Sequence, residues 1–246
     1  IELKVKRGTI HGIVGENGAG KSTLMSILYG FYTADSGEIF VNGKLARITD
    51  SHHALRLGIG MVHQHFMLVD NFSILENVIL GAEDSALLAS SLSKARGELK
   101  RLAADYSLDV DPDAIVQDVS VGQQQRVEIL KALYRGAEIL ILDEPTGVLT
   151  PEEADDLFRV LNVLREQGKT VILITHKLRE IMAITDEVSV MRQGQMVAHF
   201  KTSETSPEQL AEAMVGRRVL LRVEKGQAHP GKPLLEVREL VVADDL

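Results

Sequence analysis

Gly15-Glu16-Asn17-Gly18-Ala19-Gly20-Lys21-Ser22-Thr23 is the stretch whose reading decides the fold. It fits G-x-x-x-x-G-K-[ST], with apolar Ile10, Ile13 and Val14 before it and a helical run after it. A buried strand, a glycine loop and a helix form the context in which this pattern cradles phosphates. Glycines let successive backbone N–H groups turn inward around an anion, where a Cβ would block the approach. The helix that opens at Lys21 adds the partial positive charge of its N-terminus. Lys21 is expected to reach the β- and γ-phosphates, and the Ser22 hydroxyl to hold Mg²⁺. All nine residues, Gly15 to Thr23, are candidate nucleotide contacts.

Working outward, Ile1 to Val5 alternates and reads as a strand on a half-buried face. After the loop, Leu24, Ile27 and Leu28 mark one side of a helix that stops at Gly30. Glu38 to Val41 is a short strand closed by Asn42-Gly43, a hairpin signal. A small helix ends at Leu57-Gly58, and Ile59 to Val62 leads into His63-Gln64-His65-Phe66. From Ser73 to about Arg135 the pattern is helical, through Ile74, Leu75 and Val78, then Leu88, Leu92, Ala95, Leu99, Leu102 and Ala103. Val119 to Gln123 opens a further helix, with Val127, Leu130, Leu133 and Tyr134 inward. Ile139 to Leu142 is an apolar run of the kind buried on both faces in parallel sheets. Pro151 starts another helix, Val171 to Thr175 is a second buried strand, and Glu187 to Met191 with Met196 to Phe200 form a hairpin around Gln193-Gly194. Pro207 to Val215 is a helix, and Gly226 to Pro233 a linker.

Strands alternating with helices give an α/β fold, a doubly wound, mostly parallel sheet. Residues 1–72 and 136–224 are expected to form the core, 73–135 an inserted helical subdomain. The 246 residues suit one large domain or one domain with a small insertion. A formal charge of −8 with no Lys/Arg-rich run argues against a nucleic-acid partner. No apolar run approaches the roughly 18 residues that span a membrane, and the alternating N-terminus is unlike a secretory signal. The lack of Cys excludes disulfides and thiolate metal sites and fits a reducing cytosol.

The second chemical element is Asp143-Glu144, at the C-terminal end of a buried strand, the edge at which open α/β sheets bind ligands. Asp143 is expected to bind Mg²⁺ directly or through water, and Glu144 to polarise the attacking water. Gln64 and His176 follow strands that end at the same edge. A carboxamide there can hold Mg²⁺ or water, and a neutral imidazole can hydrogen-bond the γ-phosphate. Taken singly, a Gln or His after a strand is more often a turn residue. The pairs His52-His53 and His63/His65 lack a third ligand at metal-binding spacing.

Together these stretches resemble the ATPase domain of ABC transporters. Gly15 to Thr23 corresponds to the Walker A loop, Gln64 to the Q-loop, Val119 to Gln123 to the signature, Ile139 to Glu144 to Walker B and His176 to the switch histidine. Ser120 to Ala137, Glu144 to Thr150 and Gly60 to Phe66 most resemble the ATPases of bacterial nucleoside and simple-sugar importers, the nucleoside branch above all. Val121 in place of the first signature glycine, and Thr150 in place of the D-loop aspartate, fit that subgroup. The resemblance implies a P-loop NTPase-type fold and an ATP–Mg²⁺ site completed across a dimer. There Ser120 and Gly122 of a facing domain donate to the γ-phosphate, with Gln123 beside them. It also implies two membrane-spanning permease subunits touched by the segment after Gln64. A solute-binding protein would act indirectly, and the location would be peripheral on the cytoplasmic face of the membrane.

A soluble non-transport ABC ATPase and a nucleotide-gated binding module are the alternatives. Acidity and the lack of Cys oppose the first, and Glu144 opposes the second. In this family adenine stacks on an aromatic upstream of the phosphate loop, and residues 1–14 contain none. Leu234 to Leu240 resembles the opening strand of another such domain, so residues 225–246 read as a linker and the start of a second half. The chain is thus expected to be the first half of a tandem ATPase, with Leu234 to Leu240 docked beside Ile1 to Val5.

Overall fold

A computed structural model describes residues 1–81, 88–218 and 231–241. The first half runs β1 (Ile10–Val14), α1 (Lys21–Tyr29), β2 (Ile39–Val41), β3 (Lys44–Ala46), α2 (Ser51–Arg56), β4 (Ile59–Val62), α3 (Ile74–Ile79) and α4 (Leu88–Asp105). The second half runs α5 (Val121–Tyr134), β5 (Ile139–Asp143), α6 (Pro151–Glu166), β6 (Thr170–Ile174), α7 (Leu178–Ile184), β7 (Glu187–Arg192), β8 (Gln195–Lys201) and α8 (Pro207–Val215).

Six strands form one sheet in the order β4-β5-β6-β1-β7-β8. All neighbours are parallel except β7 and β8, which form the expected antiparallel hairpin. β2 and β3 pair separately, around Asn42 at φ 51° and Gly43 at φ 75°, the left-handed pair that a two-residue hairpin turn requires.

The strand sequences explain the layering. Successive side chains leave a strand on opposite faces, so a continuous apolar run supplies two cores at once. Leu140 and Leu142 join one buried cluster with Val171, Leu173, Val188 and Val190, under the helices α5, α6 and α7. Ile141 joins the other, with Ile13, Ile172 and Ile174, under α1 and the β2–β3 hairpin. Helix starts are fixed by chemistry in the sequence: Ser73 with Glu76, Ser120 with Gln123, Thr150 with Glu153 and Ser206 with Gln209 are complete capping boxes.

In α4, Ala95, Leu99 and Leu102 are buried and Leu92 and Ala103 half-buried, as the periodicity predicts; the side chain of Leu88 lies outside the described residues. In α1 the buried face is Met25 and Tyr29, with Leu24, Ile27 and Leu28 only half-covered.

Two expectations are corrected. Ile1 to Val5 is not a strand. Its alternation instead half-buries Leu3 and Val5 against the second cluster, while both edges of β1 are already taken by β6 and β7. Leu234 to Leu240 likewise forms no strand and docks on none of the described residues: Leu234, Leu235, Val237 and Leu240 are all exposed. With no strand at Ile1 to Val5, the edge it was to pair with does not exist. Of the linker reading, Gly231 to Pro233 has no regular structure, and residues 226–230 lie outside the described residues. The helix α7, whose Leu178, Ile181 and Ile184 repeat at i, i+3 and i+6, went unread from sequence.

Candidate functional site

The register brings four strand ends to one edge. Ile13 and Asp143 both lie level with Ile174, and Val62 with Leu142. The residues that follow therefore emerge together: the glycine loop after β1, His63-Gln64 after β4, Glu144 after β5, and Thr175-His176 after β6. The same edge receives the turn of the β7–β8 hairpin, where the Gly194 N–H donates to the Ala19 carbonyl at 2.9 Å.

Gly15 to Gly20 forms the loop between β1 and α1. Gly20 takes φ 99° at the start of α1, and Gly18 takes φ 80°. At Gly15 a Cβ would lie 2.2 Å from the Met191 carbonyl oxygen, so close backbone contact alone demands glycine there. Lys21 is buried, and its ammonium donates to the carbonyls of Gly15 at 2.7 Å and Glu16 at 3.1 Å. Burial lowers its pKa, against the opposing pull of Glu144 and Asp143.

Asp143 is buried at the end of β5, and burial pushes its carboxyl up. The Ser22 hydroxyl opposes that shift, the charge of Glu144 adds to it, and Lys21 and His63 work against it. Ser22 and Asp143 thus face one another. Glu144 adopts φ 46°, a left-handed conformation unusual for a residue with a Cβ. Its Oε1 lies 2.9 Å from His176 Nδ1, so two residues singled out independently from sequence share a hydrogen bond. Gln64 is exposed, two residues past the end of β4.

Ser120, Gly122 and Gln123 are placed elsewhere. They line a pocket with Arg126, Leu149 and Glu153, which includes none of the glycine-loop residues. Ser120 is the N-cap of α5, and the Gln123 side chain closes its capping box. The Ser120 hydroxyl and the Gly122 N–H both donate to Glu153 Oε1, at 3.2 and 3.0 Å. Thr150, which departs from the usual D-loop acid, is the N-cap of α6; its N–H donates to Glu153 Oε2 at 3.1 Å.

Sequence reasoning missed the residues that hold these loops. Buried Asn77 accepts from the Val69 N–H at 2.7 Å and donates to the Val69 and Ser73 carbonyls. Buried Glu128 accepts from the Met67 N–H at 2.7 Å, and Lys131 donates to the Met67 carbonyl. Burial raises the pKa of Glu128. These bonds tie the segment after Gln64 to α3 and α5. A polar residue inside an apolar helix stripe, as at Asn77 and Glu128, was the available signal. His63 also belongs to the site's margin: it stacks on Phe31 at 5.5 Å and senses the charge of Asp143. No group of three His, Cys, Asp or Glu side chains placed to hold a metal ion occurs among the described residues.

Residues 1–147 match the family model for ABC transporters. The chain is 49% identical over 244 residues to the nucleoside import ATP-binding protein NupA of Lactococcus lactis, covering 99% of this chain and 48% of that protein. It is 46% identical to the glucose import ATP-binding protein TsgD13 of Haloferax volcanii, over all of this chain and 50% of that one. The chain thus spans about half the length of the curated relatives it matches. Among solved structures, cbiO1 of Clostridium perfringens, part of the ABC transporter complex cbiONQ, superimposes with a TM-score of 0.74 at 28% identity, over 88% of this chain and 86% of that one. Motifs, fold and relatives agree, and the chain belongs to the ABC transporter family as one of its ATP-binding domains.

Proposed function

We propose that this chain binds ATP with Mg²⁺, hydrolyses it between two facing domains, and so powers import of a nucleoside or simple sugar through two membrane-spanning permease subunits. The observation that carries the reading is the shared edge of β1, β4, β5 and β6, with Lys21 in the loop and Glu144 hydrogen-bonded to His176. Glycine-loop N–H groups and Lys21 bind the phosphate chain, and Glu144 orients water for attack on the γ-phosphate. His176, held by Glu144, meets the same phosphate. The Ser22 hydroxyl, the Asp143 carboxylate and the Gln64 carboxamide are hard oxygen donors that suit Mg²⁺, and the buried Asp143 carboxyl, its pKa raised, is a group a cation would relieve. When bound, that ion neutralises phosphate charge.

Placement of Ser120 and Gly122 away from the loop supports a site completed by a second domain, in tandem or as a dimer. The exposed Met67 and Leu80, anchored by Lys131 and Arg135, support contact between this segment and a permease subunit. A solute-binding protein would deliver the solute on the far side. No described helix is long and apolar enough to cross a membrane. The proposed location, which follows from the proposed contact with permease subunits, is peripheral at the cytoplasmic face. No nucleic-acid partner is proposed.

Replacing Glu144 by Gln tests the reading. ATP binding should persist while turnover falls about 10²–10⁴-fold, roughly 3–5 kcal/mol of barrier. Undiminished turnover in that variant would refute the assignment. Wild-type activity per molecule should also rise with protein concentration, and a flat dilution series would show a site complete within one chain.

A further inference from the structure

Beside the Glu144–His176 pair lies a ring of buried Glu180, Thr146 and Thr175, closed by the exposed Lys177, that the reaction scheme does not use. Glu180, on α7, is 6% exposed, Thr146 4% and Thr175 1%. The Thr146 hydroxyl donates to Glu180 Oε1, and the Thr175 hydroxyl donates to Oε2 at 2.9 Å. Lys177 completes the ring: its ammonium lies 3.3 Å from Glu180 and donates to both the carbonyl and the hydroxyl of Thr146 at 3.0 Å. The Lys177 N–H in turn donates to the Thr175 hydroxyl at 3.0 Å.

The ring joins two loops at significant points. Thr146 lies two residues after Glu144, and Thr175 immediately precedes His176. Glu144 is held in its left-handed backbone by its N–H donating to the Ile174 carbonyl and its carbonyl accepting from the Gly147 N–H. Such a conformation persists only where the surroundings over-determine it. Thr146, inside that same turn, is fixed by both its backbone and its side chain, and every one of those side-chain contacts ends on Glu180 or Lys177.

We infer that Glu180 is a positioning residue for ATP hydrolysis: its buried carboxylate locks the Glu144 turn to the His176 loop and so fixes the Glu144–His176 contact. The inference rests on the proposed role of Glu144. Glu180 does not touch the nucleotide, and its influence passes through Thr146 and Thr175. A carboxylate is required because it accepts from two hydroxyls and an ammonium at once, which an amide cannot match without turning a donor toward one of them.

The test uses the 246-residue chain with Glu180→Gln, Thr146→Val and Thr146→Ser, each alone and in the Glu144→Gln background. Loosening the geometry by about an ångström costs on the order of 10²-fold, so kcat should fall by about that factor in Glu180→Gln and Thr146→Val. KM for ATP should stay within about two-fold, because the glycine loop is untouched. Thr146→Ser, which keeps the hydroxyl, should restore most of kcat. In the Glu144→Gln background, Glu180→Gln should add little further loss, since both act through one group. Equal kcat for Thr146→Val and Thr146→Ser, full additivity with Glu144→Gln, or a rise in KM with kcat unchanged would overturn the inference. The Thr146 pair decides the matter if Glu180→Gln does not fold. If Glu144→Gln itself retains full turnover, the functional reading falls first and this role falls with it.

Discussion

Acidification should destabilise the fold through His11, in the middle of β1. Its side chain is fully buried; Nε2 bonds Ser189 Oγ at 2.9 Å, while Nδ1 has no partner among the described residues. Ser189 in turn contacts His199 Nδ1 at 3.1 Å, and the two rings stack at 5.5 Å. Burial lowers the His11 pKa from 6.5 to about 4, the charge of His199 and of Lys6 pushing the same way and Glu187 opposing. The unfolded chain takes up a proton below about pH 6.5 that the folded chain refuses until about pH 4. Stability from this group is therefore complete above pH 6.5 and declines as the pH falls toward 4, by at most roughly 3 kcal/mol. His63, lowered by burial, adds to the decline, whereas Glu128 and Asp143, raised by burial, work against it. The informative quantity is thus the difference between wild type and His11→Gln in urea unfolding from pH 7.5 to 4.5. Wild type should lose stability relative to the variant across that range, by about 1–3 kcal/mol. Parallel profiles would refute the argument.

Three further outcomes follow from particular contacts. Gly15→Ala should cost about 1–3 kcal/mol in urea unfolding, because its Cβ would meet the Met191 carbonyl, which is backbone and cannot rotate aside; unchanged stability would show that the loop shifts freely. Lys21→Ala should weaken ATP binding about ten-fold or more in titration calorimetry, through loss of a charge-assisted donor to phosphate. Glu153→Gln keeps the capping box but removes the charge now held by Ser120 and Gly122. Like charges about 4 Å apart in a water-like medium cost about 1 kcal/mol, so ATP-driven self-association of the Glu144→Gln chain, read by sedimentation, should tighten roughly five-fold.

Local sequence determined most of the core of this protein. The short apolar runs at β5 and β6 read as strands buried on both faces, and Ile10, Ile13 and Val14 before the glycine loop as a third. The glycine loop with its lysine specified the strand–loop–helix turn, because each glycine there serves a backbone geometry or a close approach. Asp143, Glu144, Gln64 and His176 were legible as strand-end residues of one sheet edge. Ile1 to Val5 was misread for the converse reason. Alternation shows that a segment would suit a sheet, but pairing needs a free neighbouring strand, and β6 and β7 already occupy both sides of β1. Tertiary structure alone decided that Glu153 sits on Ser120 and Gly122, and that Glu144 bonds His176. It alone decided that Glu180 closes a ring between residues 34 and 5 positions away in the chain. Those contacts join segments whose separation carries no periodic signal, and a carboxylate's partners depend on which loops the packed sheet and helices bring within about 3 Å of it.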